Sequence, residues 1–431
     1  MNIVYLVAGA GGMYCGSCLH ANALASAVGS EGVDFRLVPV YTPVRTDEEN
    51  VSEDRVLYGG LNVCLQHKWK LFRHSPSFLD RLFDSPWLLK LLGRLGSSTS
   101  PAKLGPLTIS MLQADEGPLA RESEKLVDWL AQQARPDVVH LSNVMLAGLA
   151  RSIKQRLDVP VVCSLTGEDA FLESLPRRYR DEAVSLLSER AADLNAMIAL
   201  NRYYADFMSD YLSIDRQRIE VIRPGLNLEG YPSPADEDVP PADRMPTIGF
   251  LSRVCGEKGL HELVDAWVAL ADDPDVPPVR LVAAGYLSSA DRRYLRKLQK
   301  RIERHGLADR FEYIGSPDHE GKIAMLESVD LFCIPSAIAE SKALPVLEAW
   351  AVGRPVVLPD RGVYSELIEE TGGGLLYDPA DPAELVAQLK QLILDRAAAN
   401  RLGRAGHAAI RERHTAQAMA GQTIELYRRI Q

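Results

Sequence analysis

Two cations stand five residues apart in a glycine-containing loop that joins a predicted strand to a predicted helix. The strand Thr247–Ser252 leads into this loop, which carries Arg253, Lys258 and Gly259. Fixed guanidinium and ammonium groups can hold a pyrophosphate and stabilise the negative charge that develops on a departing phosphate group. The pattern therefore predicts a site for a phosphorylated ligand, and the alternative is a solvated arginine and lysine on a turn.

A pair of glutamates eight residues apart follows the predicted strand Leu331–Ile334. Glu340 lies in a loop, and Glu348 lies inside a helix that begins at Leu344, since the proline that comes next fits a first helical turn. Each carboxylate can accept hydrogen bonds from the vicinal hydroxyls of a sugar or a ribose. Backbone amides near Ala343 and at the helix start suit a phosphate. The alternative is two solvated glutamates that interact favourably with the helix dipole.

A glycine-rich turn near the N-terminus follows the first predicted strand and opens a helix. It contains Gly9, Gly11 and Gly12, whose amides can face an anion together with the positive end of the helix. The turn differs from a dinucleotide-binding fingerprint, because Tyr14 occupies the last glycine position and no acid follows the second strand. A nicotinamide-dependent dehydrogenase is therefore disfavoured.

Strand and helix patterns alternate in both halves of the chain and predict an α/β protein with two doubly wound, parallel-sheet domains. A chain of 431 residues suits two domains of about 200 residues each. The predicted strands are Ile3–Ala8, Phe35–Val40, Val138–Leu141, Val159–Leu165, Ala196–Leu200, Glu220–Ile222, Thr247–Ser252, Arg280–Ala284, Phe311–Ile314, Leu331–Ile334, Pro355–Leu358 and Gly374–Tyr377. The helices predicted in the first half are Leu19–Gly29, Leu119–Ala134, Met145–Arg156, Tyr179–Ala191 and Tyr203–Leu212.

Composition and charge exclude several classes of protein. Hydrophobic residues make up 46% and charged residues 25%, which is typical of a globular chain. The formal charge of −10 disfavours a nucleic-acid partner, which needs a broad basic face. The N-terminus lacks a basic leader and no apolar run is long enough to span a bilayer, so we expect a cytoplasmic protein. Cys15 and Cys18 have redox or metal spacing, but only His20 lies nearby, and small residues at a helix start are the preferred interpretation.

One amphipathic stretch, residues 66–95, departs from this acidic composition. Six basic and two acidic side chains give it a net charge of +4, and it is rich in tryptophan and leucine. This composition is typical of a lid that contacts an acceptor or a membrane surface, so a peripheral contact at the inner face of the membrane is one expectation. The preferred alternative is an inserted helical pair packed on the domain.

The motifs of the second half resemble those of the family 4 glycosyltransferases of the GT-B fold. They comprise Lys258-Gly259, the Glu-x7-Glu pair, the run Ala-x-Ala-x-Gly-x-Pro-Val-Val, Glu366, and the segment from Gly372 to Pro382. The resemblance covers essentially the whole chain and is strongest from 247 to 395. It implies two Rossmann-like domains that face a central cleft, in which a nucleotide-diphosphate sugar binds as donor.

Matched residue by residue, the resemblance implies a role for each part of the donor site. Arg253 and Lys258 bind the donor diphosphate, Glu340 binds the transferred sugar, and Glu348 binds the ribose. The other donor-binding candidates are Gly11, Gly12, Ser252, Ala343 and Leu344. The family is retaining and metal-independent, so we expect neither a metal nor a cofactor besides the donor substrate.

The domain boundaries combine the sequence pattern with this resemblance. Prolines and acidic residues between 225 and 246 predict an exposed linker, which separates an acceptor-side domain, 1–224, from a donor-binding domain, 247–415. The last segment, 416–431, has a partly apolar face that includes Ile424, Leu426 and Tyr427, and this pattern predicts a helix. The resemblance implies that this helix crosses back to the first domain.

The acceptor side departs from the family pattern. His140 and Asn143 are the candidates at the end of the strand Val138–Leu141, but Ser142 stands where the family commonly has a second histidine. After the next strand, Glu168 and Asp169 stand near a position where the family frequently has His-Asp. Either carboxylate is a candidate for activating an acceptor hydroxyl, and the alternative is a cap on the helix that follows.

The glutamate motif also differs, because Lys342 and Ala343 replace a common Phe-Gly pair. The leading interpretation is still retaining transfer of a sugar to a carbohydrate or lipid-linked acceptor or to a small molecule, in which, as the resemblance implies, a donor phosphate oxygen takes the acceptor proton. One alternative is an isomerase like the nucleotide-sugar 2-epimerases, which share the two-domain architecture. The other is a GT-B subunit that binds a nucleotide sugar without turnover.

Overall fold

The computed structural model of the chain describes residues 1–9, 15–54, 56–57, 101–232 and 244–431. Gly11, Gly12 and the stretch 66–95 lie outside the described residues. The described residues form two units, Met1–Gly225 together with Ala416–Gln431, and Leu226–Thr415. Within the described ranges, no helix combines the length and apolar character needed to cross a bilayer.

The first unit is built around six parallel strands and the helices that cover them. The strands are β1 (Asn2–Val7), β2 (Asp34–Pro39), β3 (Val138–Leu141), β4 (Val161–Leu165), β5 (Ala196–Ala199) and β6 (Ile219–Val221). The described helices before the second unit are α1 (Gly16–Ser30), α2 (Pro101–Gln113), α3 (Ala120–Trp129), α4 (Ala150–Leu157), α5 (Asp169–Glu173), α6 (Arg177–Ala191) and α7 (Arg202–Tyr211). The strand order is β2-β1-β3-β4-β5-β6, as expected for a doubly wound sheet.

The second unit repeats this architecture. Its strands are β7 (Thr247–Leu251), β8 (Arg280–Ala284), β9 (Phe311–Tyr313), β10 (Leu331–Cys333), β11 (Val356–Pro359) and β12 (Gly374–Tyr377), in the order β12-β11-β10-β7-β8-β9. Its helices are α8 (Leu260–Ala271), α9 (Arg292–Arg304), α10 (His319–Ser328), α11 (Leu344–Ala351), α12 (Val363–Thr371), α13 (Pro382–Leu394) and α14 (Arg396–Arg413). The described residues thus confirm the predicted fold class, and each of the twelve predicted strands is present within two residues of its predicted bounds.

The chain enters and leaves the second unit at adjacent points. The Leu226 amide donates to the His414 carbonyl at 2.8 Å, and the last helix, α15 (Ala416–Ile430), then packs in the first unit. Leu226 and Tyr231 of the predicted linker are buried, whereas Glu229 and Gly230 between them are exposed. The beginning of the predicted linker is thus partly packed, and residues 233–243 lie outside the described part.

The two faces of β1 contribute to two different cores, because successive side chains of a strand point in opposite directions. Val4 and Leu6 join the core that includes α2, α3 and α4. Ile3, Tyr5 and Val7 join the core that includes α1 and α15. The last helix therefore completes the hydrophobic core on one face of the first sheet.

A buried histidine links this sheet to the last helix. His140 of β3 is fully buried and stacks on Tyr5, with ring centroids 4.4 Å apart. Its Nδ1 lies 2.6 Å from the Tyr427 hydroxyl, and its Nε2 lies 2.8 Å from the Ser164 hydroxyl. Burial, reinforced by His20, lowers the pKa of His140 from 6.5 to about 3. The ring is therefore neutral in the folded protein at physiological pH.

We expect this histidine to make the protein less stable in mild acid. Below pH 6.5 the unfolded chain protonates His140 while the folded chain does not, until the pH approaches about 3. Between pH 7 and pH 5 the wild type should lose about 2 kcal/mol more unfolding free energy than His140→Gln, which keeps polar atoms but does not titrate. Urea unfolding of both proteins at the two pH values measures this difference. An equal loss in both would show that His140 is not held neutral.

Candidate functional site

The structure brings Lys258 of the first predicted motif into contact with Glu340 of the second. Lys258 ends a single 3-10 turn, Gly256–Lys258, that lies between β7 and α8. Its ammonium donates to Glu340 Oε1, and the Ser336 hydroxyl donates to the same oxygen at 2.8 Å. The side chains of Lys258 and Glu340 are only 11% and 17% exposed, which strengthens their attraction relative to that of a surface pair.

Sheet topology explains this contact. Strands β7 and β10 are neighbours in a parallel sheet, so the loops after their carboxyl ends meet at one edge. The Ala337 amide donates to the Glu257 carbonyl at 2.9 Å and ties the two loops together. Gly259 has φ +74°, and a Cβ there would lie 1.8 Å from the Pro335 carbonyl oxygen. A glycine is therefore required where the two loops touch.

Arg253 takes a more exposed position in the same loop. Its side chain is 48% exposed and contacts Glu257 at 3.7 Å, a separation typical of a weak surface pair. The preceding residue, Ser252, is half-buried, and its carbonyl lies against Gly285. The guanidinium of Arg253 can therefore turn towards an anionic ligand at little cost, whereas Lys258 is already held in place.

Glu348 is held by a lysine that the sequence analysis did not identify. Lys322 of α10 donates from Nζ to Glu348 Oε1 at 2.7 Å, and the two side chains are 9% and 7% exposed. The signal available in the sequence is a lysine within an apolar helical stripe, since Ile323, Met325 and Leu326 are buried around it. Buried lysines are rare unless they are paired, so such a position indicates a carboxylate partner.

The turn before α11 has a conformation that suits glycine. Ala343 precedes the helix with φ 55° and ψ 32°, in the left-handed region, and its carbonyl accepts from the Val346 amide at 2.9 Å. Leu344 begins the helix, whose geometry leaves its amide without an intrahelical partner. An alanine in this left-handed conformation carries backbone strain that a glycine would not.

In the first unit, Glu168 and Asp169 share a hydrogen-bonded network. Glu168 accepts from the Thr166 amide at 2.8 Å, and Asp169 accepts from the Tyr204 hydroxyl at 2.8 Å. Tyr204 in turn accepts from the Gly167 amide at 3.0 Å. Glu168 stands at the N-cap position of α5 without a side-chain cap hydrogen bond, so the capping alternative does not describe it. Asp169 is half-buried and more accessible than Glu168.

The other acceptor-side candidates have structural roles. Both ring nitrogens of His140 contact hydroxyl groups inside the first unit, so neither nitrogen is left to contact an acceptor. Asn143 accepts from the Met145 amide at 3.1 Å and caps the 3-10 helix Val144–Leu149. Among the described residues, no group of three or more His, Cys, Asp or Glu side chains is arranged to hold a metal, and Cys15 and Cys18 form no disulfide there.

Gly259→Ala should destabilise the second unit strongly, because the new Cβ would collide with backbone rather than with a flexible side chain. We expect a loss on the order of 3 kcal/mol in unfolding free energy from the collision and the left-handed φ. Gly256→Ala, three residues earlier, is the control, since a Cβ there meets nothing within 4 Å. Urea unfolding compares them, and equal stability of the two variants would contradict the described loop contact.

Ala343→Gly should stabilise the protein, which is the reverse of the usual effect of glycine. The substitution relieves a left-handed alanine, and we expect a gain of about 1 kcal/mol after the extra entropy of unfolded glycine is subtracted. Ala349→Gly in the interior of α11 is the comparison and should be destabilising. Thermal unfolding of both variants measures whether each substitution raises or lowers the melting temperature. A lower melting temperature for Ala343→Gly would show that position 343 is not left-handed.

Two family models match separate parts of the chain. Residues 105–229 match the model described as Glycosyltransferase Family 4, and residues 235–409 match Glycosyl transferases group 1. The glycogen synthase of Mycobacterium tuberculosis is 27% identical over 300 residues, which cover 68% of this chain and 69% of the relative. A D-inositol 3-phosphate glycosyltransferase of Corynebacterium urealyticum is 28% identical over 49% of this chain and 51% of its own length.

Solved structures show the same architecture at low sequence identity. The sucrose-phosphate synthase of Thermosynechococcus elongatus has a TM-score of 0.70 and 17% identity, and the match covers 100% of this chain and 99% of the other. The Anabaena protein HepE in complex with UDP has a TM-score of 0.66 and 17% identity over the full length of both chains. The family models and the fold agree: the chain belongs to the glycosyltransferases of the GT-B fold.

Proposed function

We propose that the protein transfers a sugar from a nucleotide-diphosphate sugar to an acceptor hydroxyl with retention of anomeric configuration. The observation that carries this proposal is the contact of Lys258 with Glu340. It places a cation suited to a diphosphate next to a carboxylate suited to sugar hydroxyls. A transferase needs these two groups together, because the bond that breaks joins the sugar to the diphosphate.

The two ends of this contact have different chemical roles. Glu340 Oε1 is occupied by Lys258 and Ser336, whereas Oε2 makes no hydrogen bond within the described residues, so Oε2 can accept from a hydroxyl of the transferred sugar. Lys258 has further N–H groups to offer a phosphate oxygen. The motif glutamate thus orients the sugar, and the lysine beside it binds the diphosphate that leaves.

The reaction then proceeds without a protein nucleophile. The bond between the anomeric carbon and the diphosphate oxygen breaks, and the acceptor oxygen forms a bond on the same face of the sugar. A donor phosphate oxygen takes the acceptor proton. Lys258 and Arg253 stabilise the charge that develops on the departing nucleoside diphosphate. Because both cations are in place before the bond breaks, they lower the energy of the transition state. Asp169, as the more accessible carboxylate of the first unit, is the candidate for contact with the acceptor.

The similarity to known glycosyltransferases supports a class of donor, and binding measurements identify the donor within that class. Solved structures with this fold include HepE with UDP-glucose, and the curated relatives include a phosphatidyl-myo-inositol mannosyltransferase. We therefore propose a hexose donor and test UDP-, GDP- and ADP-linked glucose and mannose. A donor that binds only the folded state raises its stability with the logarithm of ligand concentration, so a thermal-shift series identifies the base and sugar. A series without any shift would overturn the proposed function.

Substitutions of the two glutamates should separate donor binding from turnover. Glu348→Ala should weaken nucleotide affinity by about 1–3 kcal/mol, because ribose hydroxyls lose their acceptor. Glu340→Gln should lower kcat by about 100-fold with little effect on nucleoside diphosphate affinity, since it touches the sugar. Glu327→Ala is the control, an exposed glutamate of α10 outside the site. Calorimetry and initial rates measure both effects, and wild-type values for the two glutamate variants would refute the assignments.

Removing divalent metals should leave turnover unchanged. In this proposal, Lys258 and Arg253 supply the positive charge that a metal ion supplies in other transferases. The test compares initial rates of sugar transfer in EDTA and after added Mg²⁺ or Mn²⁺. Loss of activity in EDTA and its recovery with metal would contradict the assignment of leaving-group stabilisation to the two side chains.

A further inference from the structure

The ion pair between Lys322 and Glu348 is the most deeply buried lysine–glutamate contact in the described part of the second unit. Lys322 lies on α10 and Glu348 on α11, 26 residues later, with Nζ and Oε1 2.7 Å apart. Both helices present otherwise apolar surfaces here, since Ile323 and Leu326 are buried on one and Leu347 on the other. The pair therefore occupies a place where the fold would accept apolar side chains.

Burying two charges is a poor way to stabilise a fold. Desolvation offsets most of the attraction, and replacing a buried ion pair by apolar residues of similar size is often neutral or stabilising. Removing only one partner is costly, because the other charge is left buried without compensation. The presence of Lys322 is therefore better explained by a need for the charge of Glu348 than by packing.

The geometry also limits how the carboxylate of Glu348 can turn. A carboxylate that accepts from a buried ammonium through Oε1 has fewer allowed orientations, which restricts the directions of its other acceptor positions. The backbone of Lys322 is held in its helix, where the Lys322 amide donates to the Asp318 carbonyl at 2.9 Å. Asp318 itself caps the helix by accepting from the Gly321 amide at 2.9 Å. The backbone position of Lys322 is thus set by a capped helical turn, and the burial of its side chain limits where the ammonium can lie.

We propose that Lys322 is a positioning residue for donor recognition: it keeps Glu348 charged and oriented to accept hydrogen bonds from the ribose hydroxyls of the nucleotide. This inference rests on the proposed function, in which Glu348 contacts the ribose. Lys322 does not touch the substrate. It gives the protein selectivity for a ribonucleotide over a deoxyribonucleotide through Glu348, because a neutral or rotated carboxyl group accepts from the hydroxyls poorly.

The test is the ratio of affinities for matched ribose and 2′-deoxyribose ligands. Calorimetry with UDP, GDP and ADP, each beside its 2′-deoxy form, gives this ratio for the nucleotide that binds best. The wild type should prefer the ribose form about tenfold, the value expected for one well-made hydrogen bond to a charged acceptor. Lys322→Met should reduce the preference to about twofold or less. A purely structural role would weaken both ligands equally and leave the ratio unchanged.

Three controls keep the interpretation clear. Lys297→Met makes the same substitution at an exposed lysine of α9 and should keep the wild-type ratio. Lys322→Arg retains a charge and should keep a preference of about threefold or more. If Lys322→Met does not fold, the double variant Lys322→Met, Glu348→Leu removes both charges and should fold. The double variant should bind the ribose and 2′-deoxyribose nucleotides with equal affinity. Lys322→Gln then replaces Lys322→Met as the single variant.

The outcomes separate this inference from the proposed function. If none of the six nucleotides binds the wild type, the proposed function fails and the inference fails with it. If Glu348→Gln keeps the wild-type ratio, Glu348 does not contact the ribose and the inference is overturned at that step. If Glu348→Gln loses the preference while the folded Lys322 variant keeps it, only the positioning role of Lys322 is wrong. Loss of the preference in both variants supports the inference.

Discussion

The proposed donor site of the second unit depends on one constraint, the close approach of the loops that follow β7 and β10. These strands are neighbours in a parallel sheet, so their loops leave the same edge. Contact between them requires Gly259, whose missing side chain makes room for the Pro335 carbonyl. The same contact brings Lys258 to Glu340, although 82 residues separate them in the chain. The pairing of Lys258 with Glu340, the cation and the carboxylate of the proposed donor site, is therefore a consequence of sheet topology.

Each glutamate of the motif is held by a lysine from another element. Glu340 is held by Lys258 from the loop after β7, and Glu348 is held by Lys322 from α10. The first lysine lies in a loop at the edge of the sheet, while the second lies on a helix beside the buried residues Ile323 and Leu326. In the proposed function the two pairs differ: Lys258 stabilises the charge of the leaving group, and Lys322 keeps Glu348 charged and oriented for the ribose.

The strands were predictable because their signals are local, and the residues of the proposed donor site stand in equally local motifs. Apolar, β-branched runs indicate strands that are covered on both faces, and the motif residues are recognised by their spacing in the sequence. Helix α2 was not predicted, since Gly105 and Pro106 disrupt the helical pattern in its sequence. Lys322 was not predicted either, because only the packing of two helices shows that its partner is Glu348. His140 has the sequence context of an acceptor-side residue, but Tyr427 of α15, 287 residues later in the chain, contacts its ring nitrogen.

The most direct measurement is a crystal structure of the protein with the nucleoside diphosphate that it binds best. The account predicts a phosphate oxygen within about 3.2 Å of Lys258 Nζ and at least one ribose hydroxyl at a similar distance from a Glu348 carboxylate oxygen. A nucleotide bound in the second unit away from both side chains would contradict the assignment of the donor site, whatever the activity of the protein proved to be.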